Sequence, residues 1–489
     1  MTDGGRFDLI VRNATIIDGT RAPRFAGDIG VRGGKVARIG DLSRARADVE
    51  IDASGRIAAP GFIDAHTHDD RLLLSDPDMT PKVSQGVTTV IAGNCGISLA
   101  CSPRPGDAGV TPPIDLLDSE GGWFRFPSFA AYAEELEAKP AALNAACLVG
   151  HTSFRVAVMD RLERAASAAE IARMQALARD ALAAGAIGIS TGTAYAPAAA
   201  APTEELIEVC RPLSEYSGLY VTHMRNEDDR VMESIEETCR IGRDLEVPVV
   251  ISHHKTVGKA NHGRSEETLA LIRRRMGEQQ VGLDCYPYIA SSTVLRYDRL
   301  EQSSRFLVTW SKPHPEFSGL DLEEVVQRLG VSRAAAVEKI KPAGAIYFML
   351  DEKDVQRILA FEETMIGSDG LPHDAKPHPR LWGTFPRVLG HYSRELKLFP
   401  LETAVYKMTG LPAAKFRLAR RGVLKAGNHA DITIFDAETV IDTADFEHST
   451  HPAQGIDTVI VNGEVVWRDG RSTGKRPGML LRNRGGAVS

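Results

Sequence analysis

No stretch of this 489-residue chain is apolar for the roughly 20 residues a membrane-crossing helix needs, no basic run offsets its net charge of -7, and its six cysteines form no spaced framework. The first absence excludes a helical membrane span. The second leaves nothing with which to grip a nucleic-acid backbone or an anionic lipid surface, because clustered Lys and Arg do that work. The third excludes a disulfide-built fold, since Cys95, Cys101, Cys147, Cys210, Cys239 and Cys285 are scattered through a chain long enough to bury its own core. The N-terminus, MTDGGRFDLIVRNATIIDG, lacks the charged, apolar and cleavage regions of a signal peptide, so a cytoplasmic location is expected. Internal repeats and low-complexity tracts are missing too. What is there is ordinary globular composition, 43% hydrophobic and 25% charged, in a chain longer than one core usually serves. Two or three structural units and a small-molecule ligand are the expectation.

The ends of the chain differ from its middle. Residues 7–58 alternate apolar and polar positions in FDLIVRNATIID, DIGVRGG and KVARIG, the texture of hairpin-connected strands. After residue 415 it returns in ADITIFD and TVIVNGEVVWRDG, with Asn-Gly as a hairpin turn. One small β-sandwich built from residues 1–59 and 415–489 is expected. Between them, SAAEIARMQALARDALAAG, DRVMESIEETCRIGRDLEV and SEETLALIRRRMGEQQ carry helical spacing and separate strands. Strands near residues 60, 89, 146, 186, 220, 249, 282 and 364 make eight, which closes a TIM-type β/α barrel over residues 60–414. The gap before the eighth strand is too long for one helix. Residues 293–345, with LDLEEVVQRLGVSRAAAVEKI, read as an inserted lid-like subdomain near the barrel mouth. The fold class is α/β.

A parallel barrel gathers residues from the C-terminal ends of its strands into one pocket. GFIDAHTHDD supplies His66 and His68, which project to the same side of a strand. TTVIAGNCG supplies Cys95, YVTHM His223, VVISHHK His253 and Lys255, LDCYPY Tyr286, and MIGSDG Asp369. A thiolate with imidazoles selects zinc over magnesium or calcium, so Cys95, His223 and His253 form a three-ligand set with an open fourth position, the catalytic pattern. His66 and His68, with Asp369, form a second and weaker set that has no thiolate unless it shares the Cys95 sulfur. Asp369 suits a proton carrier in a hydrolysis, and competes with a reading as a helix cap after GSDG. His254 should face away from the pocket by strand alternation. His151, in LVGHTSFR, either assists a carbonyl oxygen or hydrogen-bonds a neighbouring loop.

At these residues the chain resembles the amidohydrolase superfamily, and within it the D-aminoacylases, or N-acyl-D-amino-acid deacylases. The resemblance runs through GRIAAPGFIDAHTHDD, GVTTVIAGNCGIS, GAIGISTGTAYAP, YVTHMRNEDDRVMESI, VPVVISHHK, DCYPYIASSTVL, MIGSDGLPHDAKPHPRLWGTFPRVLG and VNGEVVWRDG. His-X-His marks only the superfamily, whereas Gly-Asn-Cys-Gly and Gly-Ser-Asp-Gly-Leu-Pro-His are far more specific. The resemblance implies that Cys95, His223 and His253 hold a tight zinc ion, that His66 and His68 belong to a weak or empty second site, and that Asp369 is the acid/base. It also implies that Lys255, Tyr286, Ser292 and Arg380 grip a substrate α-carboxylate. Charge-assisted hydrogen bonds of that kind are worth about 1.5–3 kcal/mol each. Read alone, each of the four also suits a surface side chain or a core hydroxyl. Many binuclear relatives bridge their metals with a carboxylated lysine at the end of the fourth strand; here that segment reads GISTGTAYAP, and Cys95 takes the central place.

The activity implied is zinc-assisted hydrolysis of an N-acyl-D-amino acid to a carboxylate and a free D-amino acid. Arg296 and Arg299, in VLRYDRLEQ, favour an acidic substrate such as N-acyl-D-glutamate if they point into the pocket, and are solvated charges if they do not. Two other readings use the same barrel. A cyclic amidase of the dihydroorotase or hydantoinase type needs a bridged metal pair and conflicts with the missing lysine. A scaffold that binds without catalysis conflicts with the intact ligand and base positions.

Overall fold

The computed structural model describes residues 6–102 and 109–489. Eight strands, β1 (Phe62–Asp64), β2 (Val87–Ala92), β3 (Asn144–Gly150), β4 (Gly188–Gly192), β5 (Leu219–His223), β6 (Val249–Ile251), β7 (Val281–Cys285) and β8 (Thr364–Ile366), pair in sequence order, every neighbour parallel. The circle closes between β8 and β1 beyond their ladders. There the Ala65 N–H donates to the Ile366 carbonyl (3.2 Å), the Asp369 N–H donates to the His66 carbonyl (2.9 Å), and Thr67 bridges Gly370. The seam of the barrel therefore joins the His66-Thr67-His68 tip to the Ser368-Asp369-Gly370 tip.

Alternation along the strands divides the core. Ile63, Ile91, Ala146, Leu148, Leu219, Val221, Val250 and Met365 form one buried cluster with Leu411, Phe416, Leu418, Leu481 and Val488. Their strand neighbours Phe62, Val90, Cys147, Val149, Tyr220, Val249 and Ile251 pack in another, larger cluster with the helices. Crossover helices lie where helical spacing predicts them. Ala168–Ala183 starts on a capping box of Ser167 and Glu170. Val231–Leu245 buries Val231, Ile235, Cys239, Ile241 and Leu245 as one stripe, and Ser265–Met276 follows β6.

Both ends of the chain build one nine-stranded mixed sheet in the order Arg471–Ser472, Glu464–Arg468, Ile456–Val461, Ile432–Phe435, Ile57–Pro60, Phe7–Ile16, Phe25–Arg32, Lys35–Gly40, with Ala47–Asp52 also on Phe7–Ile16. Asn462 and Gly463 turn the Ile456–Val461 hairpin with φ of 49° and 85°, the two left-handed residues a type I′ turn requires. Two features differ from a plain run of hairpins. Ala47–Asp52 and Ile57–Pro60 run parallel to Phe7–Ile16, because segment 41–46 carries the chain past the sheet instead of turning it tightly. The last residues leave the sheet altogether. Leu480–Leu481 pairs with β3 at Ala145 and Ala146, and Val488 bridges Leu418 beside the barrel core.

After β7 the chain makes an inserted three-stranded antiparallel sheet, Ala290–Val294, Arg305–Ser311 and Ala343–Phe348, with helices Leu322–Leu329 and Arg333–Ile340. Its first strand carries Ser291, Ser292 and Thr293 to the barrel mouth. Among the described residues no helix is long and apolar enough to cross a membrane.

Candidate active site and metal centre

The tips of β1, β2, β5, β6 and β8 bring the expected ligands together. The Cys95 sulfur lies 3.3 Å from Nε2 of both His66 and His253. One Asp369 oxygen lies 3.2 Å from His68 Nε2 and 3.6 Å from His66 Nε2. Two sets of donor atoms are each compact enough for one ion, within 4.8 Å of one another: Cys95 with His223 and His253, and His66, His68 and Asp369 with the same Cys95.

The donor chemistry fits a soft divalent metal. Both nitrogens of His223 are buried without a hydrogen-bond partner, a rare condition that a ligated ion relieves at one of them. Burial pushes His66 down to about 3 and holds His223 and His253 below the usual imidazole range, so these rings are neutral, as ligands must be. Burial, and then Asp369, push the Cys95 thiol well above its ordinary value, so a thiolate there needs a cation beside it.

The backbone is bent to make this geometry. Cys95 (φ 55°), His253 (φ 36°) and Asp369 (φ 49°) all occupy the left-handed region, at roughly 1–3 kcal/mol each. The loop after β2 lies directly on the end of β4. A Cβ on Gly192 would sit 2.1 Å from the Cys95 carbonyl oxygen, so no side chain fits there, and a metal-bridging lysine has no place at that position. Asp369 precedes no nearby helix, the next being Arg380–Arg387, which removes the cap reading.

Asp369 is held from three sides. Its N–H is tied to His66, and Asp64 accepts from the N–H groups of Ser368 (2.8 Å) and His66 (3.3 Å). The wholly buried Lys82 ammonium donates to Asp64 (2.9 Å) and to the Ser368 hydroxyl (2.8 Å), stapling the seam from behind. Arg380 Nη1 lies 2.9 Å from the carboxylate. Burial would raise Asp369, but the Arg380 guanidinium beside it holds it well below the carboxylate range, so it is ionised.

Above the ligands opens a cavity lined by His68, Leu116, Tyr195, His223, Glu227, His253, Lys255, Tyr286, Ser291, Ser292, Thr293, Arg296, Arg299, Tyr347, Met349, Asp369 and Leu371. The fully buried Arg380 guanidinium sits 4.6 Å from the centre of the Tyr286 ring and donates to the Ser292 carbonyl (3.0 Å). The Tyr286 hydroxyl meets that of Ser291 at 3.0 Å, whereas the Ser292 hydroxyl is turned to the Ala345 carbonyl. Arg296 is neutralised inside the insertion by Asp298 (2.6 Å). Arg299 is buried at the cavity, donates to Gln302 Oε1 (3.3 Å), and makes no ion pair among the described residues. His254 faces Thr268 (2.9 Å), away from the cavity. His151 lies 3.6 Å from Glu205, on helix Thr203–Cys210, in a buried cluster outside the cavity, and neither ring nitrogen makes a hydrogen bond, so it meets neither the substrate cavity nor a neighbouring loop.

Three participants were missed from the sequence. Lys82 is one. Asp284, at the end of β7, accepts from the His253 N–H (2.9 Å) and lies 3.6 Å from His66 Nδ1. Glu227 follows His223 by four residues and faces His223, His253 and Lys255. In the sequence Glu227 is followed by Asp228 and Asp229, and the acidic run reads as a solvated loop. Only the His-x-x-x-Glu spacing hints otherwise.

A model of the amidohydrolase family matches residues 49–246 and 353–467. The chain belongs to the amidohydrolase family. It is 59% identical over 480 residues to a D-aminoacylase of Alcaligenes xylosoxydans xylosoxydans, covering 98% of each chain. A solved D-aminoacylase, described with a binuclear metal centre in which one metal activates and the second attenuates, superposes with a TM-score of 0.94 at 60% identity, covering 98% of this chain and 100% of that one. An N-acyl-D-glutamate deacylase from Bordetella bronchiseptica, solved with zinc and a phosphonate inhibitor that mimics the tetrahedral intermediate of its reaction, superposes with a TM-score of 0.94 at 45% identity, covering 98% and 100%. This amidohydrolase is a metal-dependent enzyme with a small-molecule substrate.

Proposed function

We propose that this amidohydrolase cleaves the amide bond of N-acyl-D-amino acids, with one tight zinc ion on Cys95, His223 and His253 and a weaker second site on His66 and His68. The observation that carries the reading is the position of Asp369, between the two ligand histidines His66 and His68 on one side and Arg380 on the other. A hydrolytic base and a carboxylate-binding cation thus share one corner of the cavity. When bound, zinc supplies a Lewis acid that polarises the amide carbonyl and acidifies water.

Asp369 takes a proton from the attacking water as its oxygen bonds to the amide carbon. It returns that proton to the nitrogen as the C–N bond breaks, leaving a carboxylic acid and an amino acid. Arg380 and Tyr286, with Lys255 and Ser292, orient the α-carboxylate. A carboxylate and a carbonyl held at two points leave the side chain a different direction in each enantiomer, which is how such a site separates them. The cavity that receives the side chain is lined by Leu116, Tyr195, Met349 and Leu371 and by Arg299, whose guanidinium lies 3.8 Å from the Met349 sulfur. Arg299 supports acceptance of an acidic side chain, since it lacks a carboxylate partner of its own among the described residues.

The test is hydrolysis of N-acetyl-D-leucine, N-acetyl-D-glutamate and their L-enantiomers by the zinc-loaded enzyme. Turnover is expected on the D-forms only, and Arg299→Leu should lower kcat/KM on the glutamate substrate about tenfold or more relative to leucine, the size of a lost charge-assisted hydrogen bond. Equal rates on the L-forms would overturn the assignment.

A further inference from the structure

Glu227 is a wholly enclosed carboxylate with no part in the hydrolysis described above. It lies on the loop after β5, is 2% exposed, and its carbonyl accepts from the Val257 N–H (2.8 Å), which fixes it against the loop after β6. One of its oxygens lies 3.2 Å from His253 Nδ1 and 2.5 Å from Lys255 Nζ; the other lies 3.6 Å from His223 Nε2. The opposite nitrogen of His253, Nε2, is the one that faces the Cys95 sulfur. The Lys255 ammonium also lies 2.8 Å from His253 Nδ1 and donates to the His253 carbonyl (3.0 Å).

These contacts impose a choice of proton. A neutral imidazole that ligates through Nε2 carries its hydrogen on Nδ1, and that N–H can donate only to Glu227, because the Lys255 ammonium has nothing with which to accept it. Lys255 then keeps Glu227 and the His253 carbonyl as acceptors and has one N–H left for the cavity it lines. We infer that Glu227 is a positioning residue that couples the metal site to substrate recognition, fixing His253 in its ligating tautomer and at the same time anchoring Lys255 for the substrate carboxylate. The inference rests on His253 being a zinc ligand, as proposed above.

Zinc affinity by chelator competition, and KM and kcat on an N-acetyl-D-amino acid at saturating zinc, test it in four variants. Glu227→Gln should weaken zinc binding 10- to 100-fold, the usual effect of removing a ligand's carboxylate partner. It should also raise KM at least tenfold, with kcat within about fivefold of the parent. Lys255→Met should raise KM but leave zinc held at least as tightly, because Glu227 keeps its hold on His253. The double variant, in which no buried charge is left unpaired, should show the zinc affinity of Glu227→Gln. Opposite responses of zinc in the two single variants are what a general loss of stability cannot produce. The inference falls if Glu227→Gln keeps zinc affinity and KM within twofold of the parent, or if Lys255→Met weakens zinc as much as Glu227→Gln does. His253→Ala separates the two levels. If it retains zinc, the ligand assignment itself fails; if it loses zinc while Glu227→Gln does not, only the role of Glu227 falls.

Discussion

Cys95, His223 and His253 on one side of the pocket, and His66, His68 and Asp369 on the other, share a sulfur but rest on different supports. Behind the first set lies a carboxylate facing imidazole nitrogens, Glu227, balanced by Lys255. Behind the second lies an ammonium, Lys82, that ties Asp64 and Ser368 across the barrel seam, while the Asp369 carboxylate is drawn to Arg380. A carboxylate shared with a guanidinium is a poorer metal ligand, and the oxygen turned to the histidines is left to take a proton from water on the proposed reading. The difference teaches a division of labour: the first set is arranged to hold an ion, the second to hold a base at a fixed point.

The comparison breaks most sharply on metal content. His253→Ala should lose the zinc that survives exhaustive dialysis and with it nearly all turnover, whereas His66→Ala should retain about one equivalent. Metal analysis that gave the reverse pattern would exchange the two roles. Asp369→Asn comes next. It should keep zinc and lose about 10²- to 10⁴-fold in kcat, the range for general acid–base catalysis. If the variant instead lost its metal along with its activity, Asp369 would be a ligand first. Ser368→Ala probes the seam, because it removes one partner of the buried Lys82 without stranding a charge. At about 1 kcal/mol for such a hydrogen bond, kcat should fall several-fold with KM and zinc unchanged. A fall confined to KM would detach the seam from the base.

Much of this site is legible in the sequence because barrel topology sends consecutive strand tips to one place. His66, Cys95, His223, His253 and Asp369 each follow a short apolar strand, and that position is enough to bring them together. The Asn462-Gly463 turn is a local rule and reads directly. The supports are another matter. Lys82 and Glu227 are charged residues in polar segments and Asp284 is a lone carboxylate in an apolar strand, and charged side chains ordinarily face solvent. Their burial is decided by which loops pack against each other, a tertiary fact with no period or spacing of its own. The same holds for Ala47–Asp52, whose alternation fits a parallel or an antiparallel neighbour equally. It holds also for Leu480–Leu481, too short to announce that the chain returns to the barrel.

Another buried histidine offers the control. His151, at the tip of β3, also faces a carboxylate, Glu205, but this one is clamped by Arg155 and by the Ala166 N–H (2.7 Å) and belongs to no candidate metal cluster among the described residues. Burial opposes ionisation of Glu205, yet His151, the Ala166 N–H and Arg155 together lower it from 4.5 to about 2. Between those values the unfolded chain takes up a proton that the folded chain refuses. The stability contributed by the Glu205 charge is therefore fully present above pH 4.5 and is lost as pH falls through about 2. Glu205→Gln should accordingly be less stable than the parent in urea at pH 7, by a margin that narrows as the pH is lowered to 3.5, while zinc affinity and KM at neutral pH stay within twofold. If zinc binding fell as it should for Glu227→Gln, proximity of a carboxylate to a strand-tip histidine would be a general requirement of this barrel, and the contrast between a carboxylate that serves the metal and one that serves the fold would disappear.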